Sequence, residues 1–405
     1  MTFAAAGEAM LDELVALRRA IHADPEVGLE LPRTQRRVLD ALEGLPLEIA
    51  LGQSTTSVTA VLRGTGRAGG GAGPAPAVLL RGDMDALPLT ELTGLDYAAT
   101  GEAMHACGHD LHMAALVGAA RILGAHRDEL PGDVVFMFQP GEEGYGGARN
   151  MIAGGVLNAA GPRIVAAYAT HVSPSERGVF STREGTLASG SCFLTITVRG
   201  QGGHASQPQD AVDPVPVAAE IILALQAMVT RRISVFDPVV LSLTQLSAGQ
   251  THNIIPDSAT LSGTVRVLSN ESLEIVRTES QRVAQGVAAA HGCAAEVDFR
   301  VDYPVTVNDS GEARRALAVL RELVGEDRVI EADHPIMPSE DFSYVLEAVP
   351  GAFVMLGAGD PSIPAAERAN NHSPRVVFDD SVLGIEAAAL ASLARARLAA
   401  EAPAV

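Results

Sequence analysis

Residues 192–199 read CFLTITVR, an unbroken alternation that sets Leu194, Ile196 and Val198 on one face and Thr195, Thr197 and Arg199 on the other. A strand patterned this way has one covered face and one wet face. Downstream, the spacing predicts a helix over 211–231, striped by Val217, Ile221, Leu225 and Met228. Two more alternating runs follow, VVLSLTQL (239–246) and ATLSGTVRVL (259–268). A second helix over 271–291 is striped by Leu273, Val276, Val283 and Val287, and AAEVDFRV (294–301) closes the series. The order β-α-β-β-α-β with one-sided strands is the split βαβ (ferredoxin-like) pattern.

Upstream the pattern is different. VTAVLR (58–63), AVLLR (77–81), VVFMFQ (134–139) and IVAAYAT (164–170) are mostly continuous apolar runs, as in strands covered on both faces. Helical spacing appears over 8–22, 33–43 and 112–127. This is α/β layering. The fold class is therefore α/β, with the split βαβ unit over 182–299 inserted between a first part, 1–181, and a second, 300–405. Between the first two strands, GTGRAGGGAGPAPA matches G-x-G-x-x-G at 64–69, but no helix opens after the third glycine. It is read as a flexible connection, not a dinucleotide site.

Composition removes several chemistries. All 29 basic residues of the 405 are arginine, so the imine and Walker-type chemistries that need a lysine amine are excluded. A net charge of -20 argues against nucleic acid and against an anionic membrane surface. The amino-terminal stretch reads as an amphipathic helix and not a secretory signal, and no apolar run nears twenty residues. The three cysteines make no disulfide framework, so a cytoplasmic protein is expected. Cys192 and Cys293 start the first and last strands of the insertion, which pair antiparallel in the usual order. That places the two thiols at opposite ends, unbonded.

The chemistry-bearing cluster is MHACGHDLH, with His105, Cys107, His109, Asp110 and His112 within eight positions. Thiolate and imidazole suit borderline metals such as zinc or manganese. A structural zinc site would bring a second ligand pair, and none is present; buried or capping histidines are the other reading. Three further turns follow strands: RGDMDALP with Asp83 and Asp85, QPGEEG with Glu142 and Glu143, and THVSP with His171. Ligands in open α/β sheets gather beyond strand carboxyl ends, so these turns point to one crevice. In the double glutamate, one carboxylate can bind a metal while its neighbour takes the proton of an activated water. Metal-assisted hydrolysis of an amide follows and needs no lysine.

RGDMDALP, MHACGHDLH, QPGEEG, ATHV, GQGGHASQPQDAVDP, HNIIPDSATLSGTVR, SEDFSY and NNHSPRVVFDD, in this order, resemble the M20 metallopeptidase family. The cysteine-containing amidohydrolase branch fits best, that of hippurate hydrolase, N-acyl-amino-acid deacylases and auxin-conjugate hydrolases. The likeness runs over 10–395. It implies a catalytic α/β domain carrying two divalent metals (Mn, Zn, Ni or Co), with the insertion as lid and dimerisation domain of a homodimer. The metal ligands it implies are Cys107, His109, Glu143, His171 and His372. Glu142 would be the general base and Asp85 would orient a ligand, while Asp83 stands where other branches have a metal histidine. His204 would stabilise the oxyanion, and Asn253 and Arg266 would hold substrate; Arg266 is equally an outward strand residue. Glu340 would lie near the metals without binding them, and Asp110, His105 and His112 would be supporting. His22, His126, His252, His291 and His334 are read as surface or capping residues. The substrate implied is a small N-acyl amino acid; the rival readings are a dipeptidase or carboxypeptidase with the same two metals, and a catalytically silent metal-binding homologue.

Overall fold

The computed structural model describes residues 2–67, 75–161 and 164–401. The centre of the glycine-rich connection, 68–74, lies outside the described residues. The chain divides into two compact units, one of Met1–Leu187, Val307–His334 and Tyr344–Val405, the other of Ala188–Thr306 and Pro335–Ser343.

The larger unit is built on an eight-stranded mixed sheet. Its middle is parallel: Asp133–Gln139, Ala77–Asp83, Ile164–Ser173 and Gly351–Gly357 lie side by side. Val58–Leu62 and then Leu47–Leu51 extend it antiparallel on one side. Phe180–Thr182 and Val329–Glu331 complete the other. The continuous apolar runs are continuously buried strands, since helices cover both faces of a parallel sheet. The edge strand Leu47–Leu51 is almost wholly exposed and so lacks the burial pattern by which a strand is read from sequence.

Helix boundaries shift where local chemistry dictates. Expected over 8–22, the amino-terminal helix is two, Phe3–Ala9 and Leu11–His22, with Gly7 lying backbone to backbone on Gly384. Expected over 112–127, the next long helix is His109–Ala125, because Gly108 enters it in the left-handed region at φ 89°. That early start puts His109, Asp110 and His112 on the first turn, against the carboxyl ends of the parallel strands.

The smaller unit has the split βαβ order. Its antiparallel sheet runs Val240–Ala248, Ser258–Val267, Gly190–Arg199, Ala294–Tyr303. Leu194, Ile196 and Val198 are fully buried, as their alternation requires, beneath the Pro214–Arg232 and Asn270–Ala290 helices. The first of these helices starts at Pro214 and not 211, since Asp213 caps it and proline suits its first turn. By length and composition this helix could cross a membrane, yet Val217, Ile221, Leu225 and Met228 pack into the core of their own unit. Cys192 pairs in register with Val301 while Ala294 pairs with Arg199, so Cys192 and Cys293 sit at opposite ends and all three thiols are free.

Candidate metal centre

Cys107 is the hub of the larger unit's polar cluster. Its Sγ lies 3.4 Å from His171 Nε2 and 3.3 Å from His372 Nε2. His372 Nε2 is in turn 3.1 Å from Glu143 Oε1. Ligand-type atoms of Cys107, His109 and His171 fall within 4.8 Å of one another, and so do those of Cys107, Glu143 and His372. The two groups share the thiol. A third group joins His109 to Glu142 and Glu143, tying both together.

Each member is aimed by its backbone. Gly108 turns the chain between Cys107 and His109 in a conformation that only glycine adopts without strain. His171 lies on the Ile164–Ser173 strand, which passes beside Ala77–Asp83. His372 has φ 67°, the one non-glycine in the left-handed region among the described residues. Such strain persists where the surroundings over-determine it. Here the His372 backbone amide donates to Ala106 O at 2.9 Å, and the neighbouring Asn371 side chain donates from Nδ2 to Cys107 O and Val172 O, each at 3.2 Å.

The imidazole nitrogens are disposed for metal. His109 donates from Nδ1 to the Asp85 carbonyl at 2.8 Å, which leaves the lone pair on Nε2. That Nε2 is buried without a hydrogen-bond partner. Hydrogen bonding of the far nitrogen is how metal-binding histidines are usually fixed. His171 likewise bonds from Nδ1 to Val172 O at 2.8 Å and turns Nε2 toward Cys107. Burial opposes ionisation of Cys107, but His171, His109 and His372 outweigh it and hold the thiol well below its ordinary pKa. Hydrogen bonds to Cys107 and Glu143 lift His372 to about 10. Thiolate, neutral imidazole and carboxylate are the donors a divalent transition metal takes, with displacement of such protons on binding. The residues fit a metal centre.

Asp85 serves the cluster twice. Besides the carbonyl that holds His109, its carboxylate accepts the Glu142 amide at 2.9 Å and the Glu143 amide at 3.0 Å. Both glutamates of the QPGEEG turn are thereby set at the strand ends, with Glu142 only 5% exposed.

Asp83 and His112 pair at 2.6 Å and are fully engaged. His105 is buried, its ring without a hydrogen-bond partner, and burial presses its pKa down to about 3. Asp110 leads to residues that sequence reasoning missed. Its carboxylate accepts from Arg18 at 2.6 Å and from His22 at 2.7 Å, and His22 reaches Glu91 at 3.2 Å. His22, read as a surface or capping residue, is therefore a correction: it is 1% exposed and paired with Asp110 and Glu91. The signal was present, since Leu14, Arg18, Ile21 and His22 form one helical stripe and share one buried face. His126 caps its helix through Ile122 O at 2.9 Å, while His252, His291 and His334 are exposed.

The remaining candidates belong to the smaller unit. His204 and Asn253 come together there: Gly203–His204 pairs with Ile254–Ile255, and the Ala205 amide donates to Asn253 O at 3.1 Å. The exposed His204 ring accepts from Ser206 Oγ at 2.8 Å. Arg266 is apart from both, partly buried on the Ser258–Val267 strand, 3.4 Å from Ser339 Oγ. Glu340 is buried and accepts the Phe342 amide at 2.9 Å.

Residues 79–396 match the profile of peptidase family M20/M25/M40. The chain is 37% identical over 394 residues to an IAA-amino acid hydrolase ILR1-like 5 of Arabidopsis thaliana, covering 96% of this chain and 87% of that one. It is 34% identical over 392 residues to an N-acetylcysteine deacetylase of Bacillus subtilis, covering 96% and 98%. Among solved structures, a dinuclear metal-binding peptidase of the M20 family from Bacillus subtilis superposes with a TM-score of 0.83 at 31% identity, covering 96% and 99%.

Proposed function

We propose, for a chain that belongs to peptidase family M20/M25/M40 and is a hydrolase of amide bonds, that its substrates are N-acyl amino acids, split into carboxylic acid and free amino acid. The observation that carries this reading is the pair of ligand groups meeting at Cys107. Cys107, His109 and His171 would hold one divalent ion, and Cys107, Glu143 and His372 the other. Manganese, zinc, nickel and cobalt all suit this donor set. Such metals, when bound, polarise the substrate carbonyl and lower the pKa of water.

The protein's own side chains do the rest. Glu142 takes the proton of the attacking water and returns it to the leaving amine. Asp85 keeps Glu142 and Glu143 in place through their amides and keeps His109 in the tautomer that leaves Nε2 available. His204 stabilises the oxyanion, and Asn253 and Arg266 hold the substrate; these roles rest on the motif resemblance. We place the enzyme in the cytoplasm as a homodimer joined through the smaller unit. The exposed edge strand Val240–Ala248 and the exposed Leu223 and Phe236 support that interface.

Glu142→Gln should abolish turnover of N-acetyl and N-benzoyl amino acids while leaving the metal content at two ions per chain by elemental analysis. Unchanged turnover defeats the mechanism. A dipeptidase with the same centre is the second reading, favoured by the peptidase among the structural relatives. Faster wild-type turnover of dipeptides than of acyl amino acids would select it. A metal-binding protein without turnover on either panel would be the third.

A further inference from the structure

Asp83, His109 and His112 form another group of three candidate ligands within 4.8 Å of one another, all buried. Distance alone would make it a metal site. The hydrogen bonds assign it otherwise.

Arg81 and Asp83 end the central strand, with Asp83 in register with Gln139 on its neighbour. The Arg81 guanidinium, itself buried, donates from Nη1 to Asp83 Oδ2 at 2.5 Å and from Nε to Gln139 Oε1 at 3.0 Å. The other Asp83 oxygen, Oδ1, lies 2.6 Å from His112 Nδ1. On the far side of that ring, Nε2 accepts the Val172 amide at 2.9 Å. A backbone amide can only donate, so the His112 lone pair is on Nε2 and its proton is on Nδ1, donated to Asp83. Both nitrogens are spent. His109 differs: one nitrogen is used on Asp85 O, and the other makes no hydrogen bond, lying 3.5 Å from Asp83 Oδ2, the oxygen already paired with Arg81.

The amide that His112 grips joins His171 to Val172, and Val172 O accepts from His171 Nδ1 at 2.8 Å. His112 thus pins the backbone on which the His171 ring is set. It also joins three elements: the Ala77–Asp83 strand, the His109–Ala125 helix and the Ile164–Ser173 strand.

We infer that His112 is a positioning residue for His171, acting through the Val172 amide, and that Arg81 withholds Asp83 from the metals by pairing with it. The inference rests on the dinuclear reading above and adds that Asp83 is no ligand and His112 no spare one.

The test is titration of cobalt(II) into the metal-free wild type and the variants His112→Gln, His112→Asn and Asp83→Asn. Binding isotherms and the thiolate-to-cobalt charge-transfer band are recorded, with thermal melting of the metal-free proteins alongside. Asparagine can replace Nδ1–H toward Asp83 but does not reach Val172; glutamine can present an acceptor to the Val172 amide. Partners of this kind change metal affinity by about 10–100-fold. His112→Asn should weaken one of two cobalt ions by that factor and shift the charge-transfer band, while His112→Gln keeps most of the affinity. Asp83→Asn should still bind two ions. Equal loss in the Asn and Gln variants, no loss in either, or a missing ion in Asp83→Asn overturns the inference while the dinuclear reading stands. Fewer than two ions on the wild type overturns that reading, and the inference with it.

Discussion

Gly108→Ala isolates the turn that brings Cys107 and His109 together. At φ 89° an alanine pays the left-handed cost, about 1–2 kcal/mol. It also meets a wall: the added Cβ would stand 2.3 Å from Val172 Cγ2 and 3.4 Å from Phe378 Cε2. Carbon atoms pack at about 3.5–4.0 Å, so the turn or the Ile164–Ser173 strand must move by roughly 1 Å. Both carry residues of the cluster. Gly144 supplies the internal control, because it follows Glu143 at φ 86° and an added Cβ meets nothing within 4 Å. Gly144→Ala should therefore lose only the torsional 1–2 kcal/mol or so in urea unfolding of the metal-free protein. Gly108→Ala should lose more, by about 1–3 kcal/mol as overpacked sites do. A displacement near 1 Å at a reacting centre costs on the order of 100-fold in rate. The assays are urea unfolding, cobalt affinity and kcat on an N-acyl amino acid, with both variants in parallel. If Gly108→Ala loses no more than Gly144→Ala in stability and cobalt affinity, the steric account of this turn is wrong.

Two buried groups outside the cluster give pH-dependent predictions. For His22, burial lowers the pKa but Asp110 and Glu91 outweigh it, and the net shift is above the ordinary 6.5. Its stabilising contribution is then full below pH 6.5 and fades as pH rises through the raised value. The stability gap between wild type and His22→Gln should shrink on going from pH 6 to pH 9; a gap that stays flat refutes the pairing. Glu386 is fully buried, accepts from Thr170 Oγ1 at 2.7 Å, and is pushed up by burial to about 7. The folded state then binds more protons than the unfolded one between 4.5 and 7, so stability falls as pH rises across that window. Glu386→Gln should approach and then exceed wild-type stability as pH passes 7, measured by denaturant unfolding; an unchanged difference across the window overturns this.

Much of the fold was legible because its signals are local. Alternation at Leu194, Ile196 and Val198 marks a one-sided sheet wherever it occurs, and the unbroken run Val134–Gln139 marks a strand covered twice. The exposed edge strand Leu47–Leu51 carries no such contrast, so nothing local announces it. The start of the His109–Ala125 helix lay three residues before the apolar spacing began, at a glycine whose left-handed φ is invisible in a hydropathy pattern.

The residues of the centre divide along the same line. Sequence alone determined which chemistry is available: no lysine, a thiol among histidines, paired carboxylates after buried strands, in an order resembling one family. Tertiary structure alone decided how identical side chains differ. His109 and His112 are three positions apart on one helix turn, yet His109 Nε2 makes no hydrogen bond and lies 3.5 Å from Asp83 Oδ2, while His112 is spent between Asp83 and the Val172 amide. His22 reads as a surface or capping residue until its helix stripe, shared with Arg18, is seen to face Asp110. A side chain's identity fixes which atoms can donate, accept or ligate. Which of those atoms remain available depends on partners brought from 60 to 92 residues away, and only the packed fold specifies them.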